Sequence, residues 1–389
     1  MLGQRLKQFR LANSMSLDEL VAATGGIVSK VALSKYERGI IQPSNRVLNS
    51  LAKVFNVKII HLVNPPDIRV EFVAYRKDST FSKKAQLNVE SLVTSKLEDI
   101  IKIQDLLFHT FNPNLPLKHF QINSLPDVEA ASVELRNKWK LGLDPISSIT
   151  QTLENKFIHT ITLEGDKPFD GISALAYSQN QLKAAAVVSK SNIPGERQRL
   201  NLAHELGHIV LNISPDVDEE KAAFRFGGAF LAPAETIYKI VGRKREHFQI
   251  KELYLLKKIF GISIQSLLFR LKDLDIISSS SYSMWCRIIN KNKWKKDEPM
   301  PMKEEKSQWF ERNVLHAFSE GLISSDEAAR LLGDDFDSPE LSLIKKKEFM
   351  KLSIKDRERV LSDEADRLAQ FYSTTKEWKD IGAGDFIEY

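Results

Sequence analysis

The first 63 residues carry apolar side chains at helical spacing, interrupted often enough to predict four short helices. The second helix is predicted to begin at the capping box Ser16–Glu19. The third is predicted to run from about Ser29 to Arg38, because Gly39 stands where a helix commonly ends. Pro43 is expected to open the fourth. The pattern therefore indicates a small all-helical domain.

Further along, the chain is long enough, at 389 residues, to form two or three domains. A short apolar run at residues 70–75 predicts a strand, and apolar positions spread through 89–108 predict one long helix. That helix can pack inside the protein or pair with a second copy. The sequence leaves both an internal contact and a homodimer open.

Positive charge is concentrated at the N-terminal end. Residues 1–65 hold nine Lys and Arg against three acidic residues, and since the whole chain carries +5, the remainder sums to −1. A basic end on an otherwise nearly neutral chain indicates an anionic partner for that end.

The single cysteine, Cys286, excludes an intrachain disulfide and a thiolate zinc cluster. It fits a reducing, cytoplasmic compartment. No window resembles a signal peptide or reaches the roughly 18 apolar residues that a membrane span requires. We therefore expect a cytoplasmic protein without a membrane partner.

The segment from Val28 to Gly39 resembles the recognition helix of XRE-type (phage-repressor-like) helix-turn-helix domains. In that family the positions matching Ser29, Lys30, Ser34 and Lys35 face the groove. The resemblance implies that this domain binds double-stranded DNA, an operator, through these residues. A role in dimerisation or protein contact is the alternative, and the salt dependence of DNA binding distinguishes the two.

The most informative motif is His-Glu-x-x-His, formed by His204, Glu205 and His208 in a predicted helix with apolar flanks. Residues four apart share a helix face, so both histidines can bind one ion. Glu205 then lies beside the ion, where zinc hydrolases carry their general base. The motif predicts Zn²⁺ as cofactor and hydrolysis of a carbonyl substrate. Two histidines that merely pack in a helix are the alternative.

Such a zinc site needs a third protein ligand, and the acidic cluster at 216–220 offers candidates. The segment from Glu220 to Pro233 resembles the signature Glu-x-x-Ala-Asn-x-Phe-Ala-x-x-Leu-Leu-x-Pro of the ImmA/IrrE family of metallopeptidases. The resemblance implies that Glu220 is the third ligand, with Glu219 as the alternative. Phe224 replaces the family's Asn, which we expect to remove a supporting hydrogen bond and to weaken zinc binding or catalysis.

The resemblance extends over about residues 1–335, and it implies the fold class. Residues 169–173 and 184–188 resemble the family's central sheet, whose strand beside the metal typically pairs with extended substrate. We therefore predict a mainly α, multidomain protein. An all-α helix-turn-helix domain is followed by an α+β zincin-like metallopeptidase domain with a small sheet and a helical C-terminal region.

The C-terminal tail carries a charged amphipathic helix, predicted over residues 356–371, and ends in Gly-Asp-Phe-Ile-Glu-Tyr. It resembles a small antitoxin of toxin–antitoxin modules. The resemblance implies that the tail binds a partner protein, a toxin, by folding on it. An ordinary docking helix is the alternative.

The predicted domain boundaries are 1–65 for the helix-turn-helix domain, 66–118 for a linker and long helix, 119–300 for the metallopeptidase domain, 301–340 for a helical extension and 341–389 for the tail. Together these features predict a DNA-binding transcriptional regulator fused to a zinc peptidase that cleaves a specific protein, such as a repressor or antitoxin. The alternative is a non-catalytic autorepressor or antitoxin of a toxin–antitoxin module, in which the zincin fold acts as a sensor or scaffold.

Overall fold

A computed structural model describes residues 2–64, 68–77, 83–108, 115–163, 169–245, 247–333, 336, 349–359 and 361–362. Its helices are α1 (Leu2–Ala12), α2 (Leu17–Ala23), α3 (Lys30–Glu37), α4 (Asn45–Val54), α5 (Ile59–Val63), α6 (Lys83–Leu107), α7 (Asp127–Lys138), α8 (Ile149–Glu154), α9 (Gly195–Val210), α10 (Glu219–Leu231), α11 (Ala234–Val241), α12 (Ile250–Phe260), α13 (Ile264–Asp273), α14 (Ser279–Lys291), α15 (Trp309–Ser319) and α16 (Ser325–Leu332). Its strands are β1 (Arg69–Lys77), β2 (Phe120–Ile122), β3 (Ile158–Leu163), β4 (Phe169–Ser178), β5 (Gln181–Lys190) and β6 (Leu211–Ile213). The chain divides into two compact units, Met1–Leu322 and Ile323–Tyr389, and α16 belongs to the second.

The N-terminal domain consists of the helices α1 to α5, which enclose a core of their own. The predicted capping box begins α2, since the Ser16 hydroxyl accepts from the backbone N–H of Glu19 and the Glu19 carboxylate accepts from that of Ser16. Gly39, with a φ of +70°, ends α3 as predicted. The fourth helix begins at Asn45 and is capped by Ser44, slightly later than the predicted start at Pro43.

A four-stranded sheet in the order β1-β4-β5-β3 forms the centre of the second domain. Strands β1, β4 and β5 run antiparallel, and β3 pairs with β5 in parallel. The β4–β5 hairpin closes through Gln179 and Asn180, both with positive φ, which suits a two-residue turn between twisted strands. With α9 and its neighbours on one face and α6 on the other, the predicted fold class is confirmed.

The region 66–118, predicted as a linker and long helix, contributes to this core. Strand β1 pairs with β4, and α6 packs on the sheet through apolar residues that include Val93 and Leu97. Helix α6 also contacts α1, where the Arg5 guanidinium lies 2.5 Å from the Glu98 carboxylate. The segment is thus part of the α+β domain and also contacts the helical domain.

Helix α9 lies at the centre of the core, and its residues from Leu202 to Val210 are all buried. It packs closely against α10 because glycines stand at the contact. A Cβ atom on Gly207 would lie 3.2 Å from the Phe226 ring, and one on Gly227 would lie 3.1 Å from the backbone nitrogen of His204. These two glycines let α10 approach the helix that carries the predicted motif.

A buried charge cluster holds the N-terminal end of α9. The Lys257 ammonium lies 2.7 Å from Glu196 Oε1 and 2.8 Å from Glu298 Oε2. Although burial opposes it, the hydrogen bonds from Lys257 and from the backbone N–H of Met302 lower the pKa of Glu196, whereas burial raises the pKa of Glu298. The cluster thereby ties α12 and the segment around residue 300 to α9.

Replacing Lys257 by methionine should lower the free energy of unfolding by about 3–5 kcal/mol, because two buried carboxylates would lose their shared cation. Chemical denaturation followed by circular dichroism measures the effect. Lys258→Met is the matched control, since Lys258 is exposed and one residue away. Equal stability of the two variants would contradict a role for the cluster in holding α9.

Among the residues that the structure describes, no helix has both the length and the apolar character of a membrane span. The predicted antitoxin-like tail, residues 341–389, lies outside the described residues except for 349–359 and 361–362. Its resemblance therefore stays a prediction.

Candidate metal centre

Three predicted ligands lie together where α9 meets the start of α10. The Nε2 atoms of His204 and His208 are 3.1 Å apart, one helical turn from each other on α9. The Glu220 carboxylate reaches both rings, with Oε2 lying 3.5 Å from His204 Nε2 and Oε1 lying 3.5 Å from His208 Nε2. The two histidines are buried and Glu220 is half exposed, so the group opens to solvent on one side.

This donor set fits zinc. Ligand atoms bound at the usual zinc distances in a tetrahedron lie about 3.3 Å from one another. The two histidine Nε2 atoms are 3.1 Å apart, close to that edge length, and each has one oxygen of the Glu220 carboxylate at 3.5 Å. Two imidazole nitrogens and one carboxylate are also ligands that zinc prefers, and they leave a fourth position for a water or substrate oxygen. His204, His208 and Glu220 can therefore hold a zinc ion.

Glu205, which follows His204 in the chain, is buried and held by β4. The Ser173 hydroxyl lies within hydrogen-bond distance of both Glu205 Oε2 and the Glu205 backbone oxygen. A Cβ atom on Gly171 would lie 2.1 Å from Glu205 Oε1, so only glycine lets the carboxylate lie against the strand. The sequence predicted the strand but neither of these contacts. A glycine inside a predicted strand is the signal that could have suggested a close approach.

Glu219, the alternative ligand, lies elsewhere in the site. Its Oε1 is 3.1 Å from Nδ1 of His208, on the side of the ring opposite the Nε2 that faces His204. A carboxylate at this position fixes the orientation of a ligand histidine and increases its basicity. The structure therefore gives the two neighbouring glutamates different places, with Glu220 among the candidate ligand atoms and Glu219 behind the His208 ring.

Glu219→Gln should weaken zinc binding by about 10–100-fold, the usual effect of removing such a carboxylate. Competition with a chromophoric chelator measures the affinity. Asp216→Asn is the matched control, because it removes the same charge from an exposed residue of the same acidic cluster. If both variants weaken zinc equally, the effect is one of net charge and the His208–Glu219 contact is unimportant.

Phe224 joins the metal centre to an apolar cavity. Its ring centroid lies 4.2 Å from that of His204, so a ring without hydrogen-bonding atoms occupies the place of the family's Asn. Phe224 also lines a cavity of about 490 Å³ with Leu200 of α9 and Phe269 of α13. Arg225 and Gln265 add polar groups to the wall. The cavity is large enough to receive a bulky side chain.

The four residues predicted to contact DNA lie on or next to α3. Ser29, Lys30 and Lys35 are exposed and Ser34 is half-buried. The Ser29 hydroxyl also caps the helix by accepting from the Ala32 N–H, and the Lys30 ammonium lies 2.6 Å from the Asp18 carboxylate.

Val31, on the same helix, was not among the predicted DNA contacts. Its side chain is 64% exposed, although apolar residues of a small domain are usually buried. An apolar side chain between Lys30 and Lys35 suits contact with a thymine methyl group in the major groove. The sequence feature that distinguishes Val31 is its position outside the helix face that contains the buried Leu33.

Two protein families match the chain. The helix-turn-helix family matches residues 6–62, and the IrrE N-terminal-like domain, a peptidase family, matches residues 171–272. The second match runs from β4 through α13, so it contains His204, Glu205, His208 and Glu220. No curated protein and no solved structure matches the chain. The two matched regions are those in which the sequence predicted the XRE-type and ImmA/IrrE-like domains, and both predictions are confirmed.

Proposed function

Because the chain joins a helix-turn-helix DNA-binding domain to an IrrE-like peptidase domain, we propose that it is a transcriptional regulator that hydrolyses a peptide bond in a specific protein. One observation carries the proposal: the buried Glu205 directly follows His204, which belongs to a group of three side chains that fits zinc. A set of metal ligands and a general base are the groups that a zinc peptidase requires.

The chemistry follows from the positions of the side chains. When bound, zinc would polarise the peptide carbonyl and lower the pKa of water, which makes attack feasible at neutral pH. Glu205 would take the proton from the attacking water and return it to the departing amine nitrogen as the C–N bond breaks. Ser173 would keep the Glu205 carboxylate oriented, because its hydroxyl donates to it from the buried strand β4.

The surroundings favour a selective enzyme. The apolar cavity next to Phe224 suits one bulky apolar side chain of the substrate, whereas the DNA-binding domain brings the peptidase to a particular operator. A repressor or antitoxin bound nearby is the class of substrate that we propose. A digestive role would not require a DNA-binding domain.

The test compares zinc-loaded protein with metal-stripped protein on an extract of the source cells. New protein N-termini are labelled chemically and identified by mass spectrometry. We expect a few cleavage sites that disappear on metal removal and return when zinc is added back. A zinc-replete protein that generates no new N-termini would instead support the non-catalytic sensor or scaffold.

Lys35→Ala should weaken DNA binding and reduce the slope of log affinity against log salt concentration by about 1, the effect of losing one phosphate contact. Fluorescence anisotropy with duplex DNA at several salt concentrations measures both quantities. Lys291→Ala is the control, because it removes the same charge from an exposed site outside the DNA-binding domain. An unchanged slope in the Lys35 variant would place this side chain away from the phosphates.

A further inference from the structure

Strand β4 has two edges, and both bear on how a polypeptide could reach Glu205. Gly171 and Ser173 of β4 contact the Glu205 carboxylate, so the strand runs directly past the proposed base. One edge of β4 pairs with β5 inside the sheet. Extended polypeptides commonly bind to enzymes by pairing with an open strand edge. The other, outer edge of β4 is therefore where an extended substrate would be expected to pair.

The chain's own strand β1 occupies this outer edge. It pairs antiparallel with β4 from Arg69, opposite Tyr177, to Lys77, opposite Phe169. Its residues 75 and 76 lie opposite Ile172 and Gly171, the part of β4 beside Glu205. Helix α9 contacts both β4 and β1. The backbone of β1 thus lies where an extended substrate would pair.

We propose that β1 is an intramolecular occupant of the polypeptide-binding edge of the peptidase domain. Another extended polypeptide gains access to Glu205 by exchanging with β1 and pairing antiparallel with β4. The proposal rests on the proposed function in one respect, because it takes the bound polypeptide to be the one that is cut. The exchange itself is a binding event and requires neither zinc nor hydrolysis.

The attachment of β1 suits exchange. Among the β1 side chains that the structure describes, residues 69–73, none is fully buried, whereas residues 171–176 of β4 all are. The β1–β4 pairing contains two irregularities, between Phe72 and Ala74 and between Arg76 and Lys77. As the outermost strand of the sheet, β1 also pairs on one side only. Releasing residues 69–73 would therefore expose less buried side-chain surface than releasing the corresponding length of β4.

The position of β1 along the chain connects the proposed exchange to the DNA-binding domain. The strand lies between α5, the last helix of the DNA-binding domain, and α6, which packs on both the sheet and α1. Arg5 of α1 bonds to the backbone oxygen of His61 in α5 and to Glu98 of α6. The segment that blocks the peptidase edge is thus tied at both ends to contacts with the DNA-binding domain.

A reversible disulfide lock, which joins β1 covalently to β4, tests the proposal. Arg69 and Tyr177 are directly opposed, and the Arg69 guanidinium lies 5.0 Å over the Tyr177 ring, so their side chains share one face. The double variant Arg69→Cys/Tyr177→Cys, made with Cys286→Ser to remove the single native thiol, should form a disulfide that holds β1 in place. The probe is a fluorescein-labelled peptide with the sequence of residues 69–77, added in trans without zinc.

Proline substitutions open the edge instead. Along an outer strand, successive N–H groups point alternately toward the neighbouring strand and toward solvent. Of the two adjacent substitutions Glu71→Pro and Phe72→Pro, one therefore removes a hydrogen bond to β4. The other removes an N–H that points to solvent and is the matched control. An intramolecular strand competes like a ligand at roughly millimolar concentration. We therefore expect the disruptive proline to strengthen probe binding at least about tenfold over the wild type. Amide hydrogen exchange of β4 should rise in the same variant.

The outcomes separate this proposal from the proposed function. The oxidised lock should bind no probe and, when zinc-loaded, should generate no new protein N-termini in the extract of the source cells, and reduction should restore both to the level of the Cys286→Ser protein. Equal probe binding by the oxidised and reduced forms, or no gain from either proline, would overturn the proposal. So would fragments showing that β1 is itself cut. Exchange without any cleavage would uphold the proposal and refute the peptidase function.

Discussion

Glu205→Gln is expected to lower the rate of peptide hydrolysis by about 10²–10⁴-fold, the usual contribution of a general base, while leaving the zinc content unchanged. Glutamine has nearly the same shape as glutamate, but its amide cannot accept a proton from water at neutral pH. The candidate ligand atoms belong to His204, His208 and Glu220, so the metal should stay bound. Steady-state kinetics on the identified substrate and metal analysis of the same sample measure the two effects.

A second variant tests the position of Glu205 rather than its chemistry. Gly171→Ala would place a Cβ atom on the present position of Glu205 Oε1 and displace the carboxylate from β4. We expect a loss of kcat approaching that of Glu205→Gln, again with zinc retained. Glu235→Gln, which changes an exposed glutamate on α11, is the control. Wild-type rates in the Glu205 variant would show that another group accepts the proton.

His204→Ala is expected to weaken zinc binding by more than about 100-fold. Residues that only hydrogen-bond to a metal ligand already contribute about 10–100-fold to the affinity, and losing a ligand itself should cost more. Zinc should then no longer raise the melting temperature, since a bound ligand stabilises the folded state only as far as it is bound. Metal analysis after dialysis and thermal unfolding with and without zinc measure the loss. His247→Ala, at an exposed histidine, is the control. Full zinc content in the His204 variant would mean that the ion binds elsewhere.

The local features of the sequence predicted the helical parts well. The capping box at Ser16 and the glycine at position 39 mark helix ends through contacts between residues only a few positions apart. The same is true of His204 and His208, because the pitch of a helix alone brings residues four apart to one face. Such features depend on neighbours in the chain, so they could be derived without a fold.

The roles of the two adjacent glutamates could not be derived in this way. Glu219 and Glu220 differ by one position, and which of them meets the ligand atoms depends on how α10 is rotated against α9. Gly207 and Gly227 set that packing, since each lets the other helix approach within van der Waals distance. Resemblance to a family suggested Glu220, and the packing of α9 on α10 brings the Glu220 carboxylate, rather than that of Glu219, to the facing Nε2 atoms of the two histidines.

By itself, the sequence determined the helix-turn-helix domain, the paired histidines with their glutamate, and the α+β class of the second domain. Only the tertiary structure decided what lies around Glu205: the Ser173 hydroxyl, the absent Cβ of Gly171, and β1 along the edge of β4. The reason is distance along the chain. The short apolar run at residues 70–75 predicts a strand, but its partner lies about a hundred positions away, and strand register depends on the packing of both faces of the sheet.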